Sequence, residues 1–248
     1  MGRKMTLLLL SAAAVILLLV SRSVLGRKLM YFPSHRPADG LLTPWTRGGE
    51  VIGYARKVAS PKNIWLMLHG NAGQAVDREY ALPCFSPEDS VFILEYPGYG
   101  VRAGSPSLTS INSAAREAFG LLRETYPRLP VSVVGESIGS GPAATLARAE
   151  RPPDKLVLIT PFDRLSRVGA AHYPRLLVWL MLADDWDNAA ALASYRGAVE
   201  IFGAKDDEII PVARAVALAG AVPAAKFVLI EGGHNEWSHQ GRVKIRNP

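Results

Sequence analysis

Leu129-Pro130-Val131-Ser132-Val133-Val134-Gly135-Glu136-Ser137-Ile138-Gly139-Ser140-Gly141 is the stretch whose reading decides the fold of this 248-residue chain. Val131, Val133 and Val134 form a β-branched run, and branched side chains pack well on a pleated, buried surface. Gly135-Glu136-Ser137-Ile138-Gly139 follows at once as a G-x-S-x-G pattern. An Ala-rich segment with high helix propensity then runs from Ala143 to Glu150. Strand, sharp turn and helix crowd the serine at the apex, and a glycine two residues to either side lets strand and helix close on each other. The serine Oγ then stands clear of the sheet edge, beside a helix N-terminus that favours negative charge. The bare pattern arises by chance in roughly one chain in twelve of this length, so its flanks carry the inference.

Working outward, Asn63 to Leu68 and Ser90 to Glu95 are nearly continuous apolar runs, as strands buried on both faces of a parallel sheet require. Lys155 to Thr160, Val199 to Phe202 and Lys226 to Ile230 read the same way, and Glu50 to Val58 reads as a further strand. Leu108 to Tyr126 is amphipathic, with Ile111, Ala114, Ala115, Ala118, Phe119 and Leu122 on one face. Another helix is expected over Val212 to Ala219. Strands alternating with helices predict an α/β protein whose mostly parallel, doubly wound sheet carries helices on both faces. Only about 35 residues separate the strand ending at Thr160 from the one near Val199, too few for a large lid domain. Within them, the apolar core Leu176–Ala183 of Tyr173–Asp187 is too short to span a bilayer. It predicts a helix packed on the domain near the mouth of the site. The alternative places Trp179, Leu180 and Leu182 against a bilayer or an acyl chain.

A serine nucleophile needs a base, and the base needs an orienting carboxylate. Both follow in order: Asp206-Asp207-Glu208-Ile209-Ile210-Pro211 lies beyond one strand, and Glu231-Gly232-Gly233-His234-Asn235 beyond the next. Loops after parallel strands all emerge at the carboxyl edge, where ligands bind. Two more such loops are unusual in composition, His69-Gly70-Asn71-Ala72-Gly73 and Tyr96-Pro97-Gly98-Tyr99-Gly100.

From about Tyr31 to Ser238 these five motifs, in this order, make the chain resemble an α/β-hydrolase-superfamily serine hydrolase, of the small membrane-anchored or serine-aminopeptidase-like type. The resemblance implies the α/β-hydrolase fold and a Ser…Asp…His catalytic order. It implies Ser137 as nucleophile, His234 as base and then acid, and Asp207 as the orienting acid through the Asp-x-x-Ile-Pro match, with Asp206 the alternative. It implies an oxyanion hole from the backbone N–H groups of Ile138 and Asn71, with His69 structural. No cofactor or metal is implied. The expected reaction is cleavage of an ester, thioester or amide acyl bond. The rivals are a non-catalytic membrane-anchored binding module and a peptidase on the same triad.

Thr6 to Val20 carries no charge and is flanked by Arg3, Lys4, Arg22, Arg27 and Lys28. It is expected to be an uncleaved N-terminal transmembrane anchor in contact with membrane lipid, since no clean small-x-small cleavage site adjoins it. A cleaved signal peptide is the alternative, and basic residues on both sides leave the orientation open. The expected organisation is an anchor over 1–28, a hydrolase domain over 29–240 and a short basic tail over 241–248, frayed and without a closing helix. The net charge of +6 arises from six basic residues that precede the first acidic one, Asp39. The remainder is balanced, which argues against a nucleic-acid groove. Cys84 is the only cysteine, so no intrachain disulfide can form, and its apolar neighbours predict a buried, inert thiol.

Overall fold

The computed structural model describes Met5, Leu9, residues 24–223 and residues 225–247. The expected anchor over Thr6–Val20 falls, but for Leu9, outside the described residues. Among them, no helix is long and apolar enough to cross a membrane. Residues 24–30 are helical (α1) and lead into an eight-stranded sheet of spatial order β1-β2-β4-β3-β5-β6-β7-β8.

The strands are β1 (Thr43–Arg47), β2 (Glu50–Arg56), β3 (Ile64–Leu68), β4 (Ser90–Leu94), β5 (Val131–Glu136), β6 (Lys155–Ile159), β7 (Ala198–Ala204) and β8 (Ala225–Ile230). β3 to β8 are mutually parallel, while β2 runs antiparallel to β4 and β1 antiparallel to β2. The apolar runs of β3 to β6 are buried along their whole length. Along β3, Ile64, Leu66 and Leu68 enter one core layer and Trp65 and Met67 the other. That is the period-2 alternation of a strand with protein on both sides. β1 escapes sequence reading because it is short, contains Pro44 and buries only Trp45. Proline suits such an edge position, where its missing N–H costs no ladder bond.

The first layer is covered by α2 (Leu108–Thr125), α3 (Ser140–Leu146), α6 (Asn188–Leu192) and α7 (Ala213–Ala221). A capping box between Ser107 and Ser110 starts α2. The second layer departs from the expected ring of helices. A 3-10 segment, Ala75–Cys84, covers part of it, and the chain from Trp237 to Ile245 covers the rest. α4 (Leu165–His172) and α5 (Arg175–Met181) lie between β6 and β7. The expectation that Tyr173–Asp187 packs its apolar side on the domain fails for most of α5. Val178 alone is buried there, against Gly169 of α4, and the neighbouring leucines face outward.

The expected fraying of the tail is also overturned. Val243 and Ile245 are fully buried in the second layer. The Ile245 N–H donates to the Cys84 carbonyl at 2.9 Å, Lys155 Nζ donates to the Arg246 carbonyl at 2.8 Å, and Ser132 Oγ donates to Asn247 Oδ1 at 2.8 Å. The alternation Val243-Lys244-Ile245 is too brief a pattern to announce itself. Ile245→Ala is accordingly expected to cost about 2–5 kcal/mol through the cavity it leaves. Urea unfolding checks this as a lower midpoint at unchanged slope. Cys84 lies beneath this tail, and burial pushes its thiol pKa up, which keeps it protonated and inert.

Candidate active site

Ser137 has a φ of +53°, in the left-handed region that a non-glycine residue rarely occupies. Strain of this kind costs on the order of 1–3 kcal/mol and persists where the surroundings impose it. The imposing contacts are visible at the two glycines of the motif. A Cβ on Gly139 would lie 2.1 Å from the Leu68 carbonyl oxygen, and one on Gly135 would lie 2.7 Å from the Gly139 carbonyl oxygen and Ala143 Cβ. β3, β5 and α3 therefore close on the turn and lift the serine out of the sheet. Ser140 Oγ donates to the Ser137 carbonyl at 2.6 Å, and Asn188 Nδ2 donates to Ser140 Oγ at 3.0 Å, which pins the turn from the α6 side.

The loop after β7 brings Asp207 in, with its side chain 1% exposed. Its Oδ1 accepts from the N–H groups of Ile209 (2.9 Å) and Ile210 (2.7 Å), which closes the loop on itself. Its Oδ2 lies 2.7 Å from His234 Nδ1, and His234 Nε2 lies 2.9 Å from Ser137 Oγ. Carboxylate, imidazole and hydroxyl thus form one unbroken line across three loops. Asp206, the alternative acid, is exposed, and its backbone N–H donates to the Gly232 carbonyl. The two aspartates are separated by which way the loop turns: Asp207 faces inward beside the buried Ile210, and Asp206 faces solvent.

Gly70 sits against the serine: a Cβ there would lie 3.6 Å from Ser137 Cβ. The side chain of Asn71 is fully engaged. Its Nδ2 donates to the Met30 carbonyl at 2.5 Å, while its Oδ1 accepts from the Phe32 N–H and from Tyr99 Oη at 3.0 Å. Tyr96 Oη donates to the His69 carbonyl at 2.8 Å, and its ring stacks on His69 at 4.2 Å. Tyr96-Pro97-Gly98-Tyr99-Gly100, unusual in sequence but without an assigned role, is thus the scaffold of the His69–Gly73 loop. His69 Nδ1 lies 2.7 Å from the Gly70 carbonyl, consistent with a structural part. His35, His172 and His239 are exposed.

Sequence reading passed over the residue beside the serine. Glu136 is buried, and its Oε2 accepts from the Gly70 N–H at 3.0 Å. Its Oε1 accepts from Tyr80 Oη at 2.7 Å and from Trp237 Nε1 at 3.1 Å, and Arg78 Nε lies 3.5 Å away. Trp237 is fully buried, and the carboxylate supplies the partner that its indole N–H then needs. Arg78 in turn donates to the carbonyls of Gly70 and Ala72. Burial would push the Glu136 carboxyl up, but the Arg78 charge and the three donors outweigh it and hold its pKa below the ordinary value. One carboxylate therefore ties together the serine strand, the His69–Gly73 loop, the 75–84 segment and the His234 loop.

The backbone defines the class of fold: the chain has the α/β-hydrolase fold, with a mostly parallel eight-stranded sheet. It is 30% identical over 244 residues to uncharacterized protein Rv2307c of Mycobacterium tuberculosis, a match covering 92% of this chain and 85% of that protein. Lysophosphatidylserine lipase ABHD12 of Macaca fascicularis is 28% identical over 148 residues, which cover 56% of this chain and 37% of that protein. Among solved structures, the Pyrococcus furiosus esterase Pf2001 matches with a TM-score of 0.65 at 14% identity, covering 85% of this chain and 91% of that one. TT1662 from Thermus thermophilus matches with a TM-score of 0.59 at 22% identity, covering 82% and 93%. No protein-family model matches the chain.

Proposed function

We infer that this chain is a membrane-anchored serine hydrolase that cleaves a carboxylic ester or thioester through an acyl-enzyme. The observation that carries the reading is the continuous Asp207–His234–Ser137 line, with separations of 2.7 and 2.9 Å. In this reading His234 Nε2 takes the Ser137 proton as Oγ attacks the acyl carbon. Asp207 holds the Nδ1–H tautomer and stabilises the imidazolium. The backbone N–H groups of Ile138 and Asn71 receive the oxyanion, each worth about 3–4 kcal/mol when one such donor is lost. His234 then returns the proton to the leaving group, and a water repeats the cycle on the acyl-enzyme. The names of the relatives, a lysophosphatidylserine lipase and an esterase, favour an ester of a lipid over an amide. The uncharged Thr6–Val20 run is assigned as the anchor.

A fluorophosphonate probe tests the enzyme reading. Folded protein is expected to be labelled on Ser137, and Ser137→Ala is expected to take no label. Absence of labelling in the folded wild type would point instead to a non-catalytic binding module. Rates on an acyl-chain-length series of esters, thioesters and aminoacyl amides then sort the leaving-group classes.

A further inference from the structure

α1 and α5 meet on the outside of the domain, and apolar side chains of both are exposed there. Leu176, Leu177, Trp179 and Leu180 of α5 are 68%, 45%, 64% and 40% exposed, and Leu25 and Leu29 of α1 are 50% and 58% exposed. The two helices share one cleft of about 430 Å³, lined by Leu29, Met30, Tyr173, Leu177 and Met181 among others. Their union is specific. Gly26 packs on the Met181 carbonyl, while Arg27 (3.1 Å) and Tyr31 Oη (2.8 Å) both donate to the buried Asp184 just beyond α5. Exposed apolar patches of this extent mark a surface that something covers.

The chain itself indicates what covers it. The uncharged run ends at Val20 and α1 is under way by residue 24. Four residues reach at most about 14 Å even fully extended, so α1 cannot leave the neighbourhood of whatever holds that run. The acidic residues that follow α5 are neutralised, Asp184 by Arg27 and Asp185 by Arg164. Lys28 and Arg175 are exposed at the margin, as suits a surface of anionic headgroups. The face also borders the site on two sides. Met30 and Phe32 bond to Asn71, and His172 Nε2 lies 2.9 Å from the carbonyl of Ile209 in the Asp207 loop.

We propose that α1 and α5 form a bilayer-docking face, lying in the headgroup–acyl boundary like a monotopic helix pair and holding the rim of the Ser137 site at the membrane surface. The proposal rests on the anchor reading given above. Its occupant is the leaflet from which a lipid substrate would be drawn.

The sequence supplies its own reporter. Of the five tryptophans, Trp45, Trp65, Trp186 and Trp237 are at most 5% exposed, and Trp179 alone projects from the surface. Full-length protein is reconstituted into phosphatidylcholine–phosphatidylserine vesicles, and the Trp179 emission is read as the difference between wild type and Trp179→Phe. That difference is expected to shift to the blue, lose most of its intensity to lipids brominated on their acyl chains, and resist aqueous iodide. Leu177→Glu with Leu180→Glu, exposed positions whose change leaves the core untouched, is expected to reverse all three. Protein that floats with the vesicles while Trp179 is quenched by iodide overturns the docking face and leaves the anchor standing. Protein in which neither quencher acts has the face covered by another copy or by its own leader, which also overturns it. Protein that does not float removes the anchor, and the docking face with it.

Discussion

Ser137→Ala is expected to lower kcat/KM on a simple ester by about 10⁵–10⁶-fold, the loss seen when the nucleophile of such a triad is removed. Stability should barely move, because alanine meets the same strain at a φ of +53° and leaves the turn contacts in place. Asp207→Asn is expected to fall between, at about 10⁴-fold. The reason lies in its partners. Oδ1 accepts from two backbone N–H groups, so an asparagine keeps its carbonyl there and turns its NH2 toward His234 Nδ1. The imidazole then carries its proton on Nε2 and cannot accept one from Ser137. Asp206→Asn touches an exposed carboxylate and is expected to leave the rate within about twofold, as surface changes do. Equal losses in the two aspartate variants, or a Ser137→Ala enzyme that retains its rate, would refute the assignment. Steady-state kinetics on p-nitrophenyl esters, with circular dichroism to confirm folding, reads all three.

The second large effect is expected at Glu136. Its two oxygens face donors only: the Gly70 N–H on one side, Tyr80 Oη and Trp237 Nε1 on the other, with Arg78 beside them. In Glu136→Gln no orientation of the amide satisfies this set, since the NH2 must face either a backbone N–H or an indole N–H. Arg78, whose side chain is 12% exposed, also loses its counter-charge. Breaking a buried pair in this way costs about 3–5 kcal/mol. Because the displaced partner is Gly70, next to the proposed oxyanion donor Asn71, kcat is expected to fall by about 10²–10³-fold, the scale for losing one such donor. Arg78→Met combined with Glu136→Gln should cost less stability than the two single changes together, because no lone charge remains. The pH dependence adds a sign. The folded carboxyl lies below its ordinary value, so its contribution is complete above the ordinary carboxylate range and is lost as pH falls through the lowered value. Wild type should therefore lose stability on acidification more steeply than Glu136→Gln. Parallel acid profiles would show that Glu136 does not hold this charge.

Much of the architecture was legible because its signals are local. A parallel strand buried on both faces must be apolar throughout, and β3, β4, β5 and β6 each declare themselves over about five residues. The order of serine, aspartate and histidine was legible because each lies in a loop just past such a strand, so the sheet alone brings them to one edge. What stayed hidden is held by distant partners. Glu136 reads as the variable position of a motif, and its significance depends on Tyr80 and Trp237, 56 and 101 residues away. Trp237 and Ile245 sit in polar surroundings, and nothing nearby reveals that a second core layer needs covering. α5 misled in the opposite sense: its leucines look like core, yet only Val178 finds one.

The bonds from Asn71 to Met30 and Phe32 bear on how the molecule can be shortened. A trimmed version beginning at the first sheet strand, Thr43, would be a natural choice for crystallisation. Such a cut removes the backbone carbonyl and amide on which the Asn71 amide group rests. A truncation placed before Val24 keeps that brace, so a soluble but sluggish shortened protein would be an artefact of the scissors rather than a property of the enzyme.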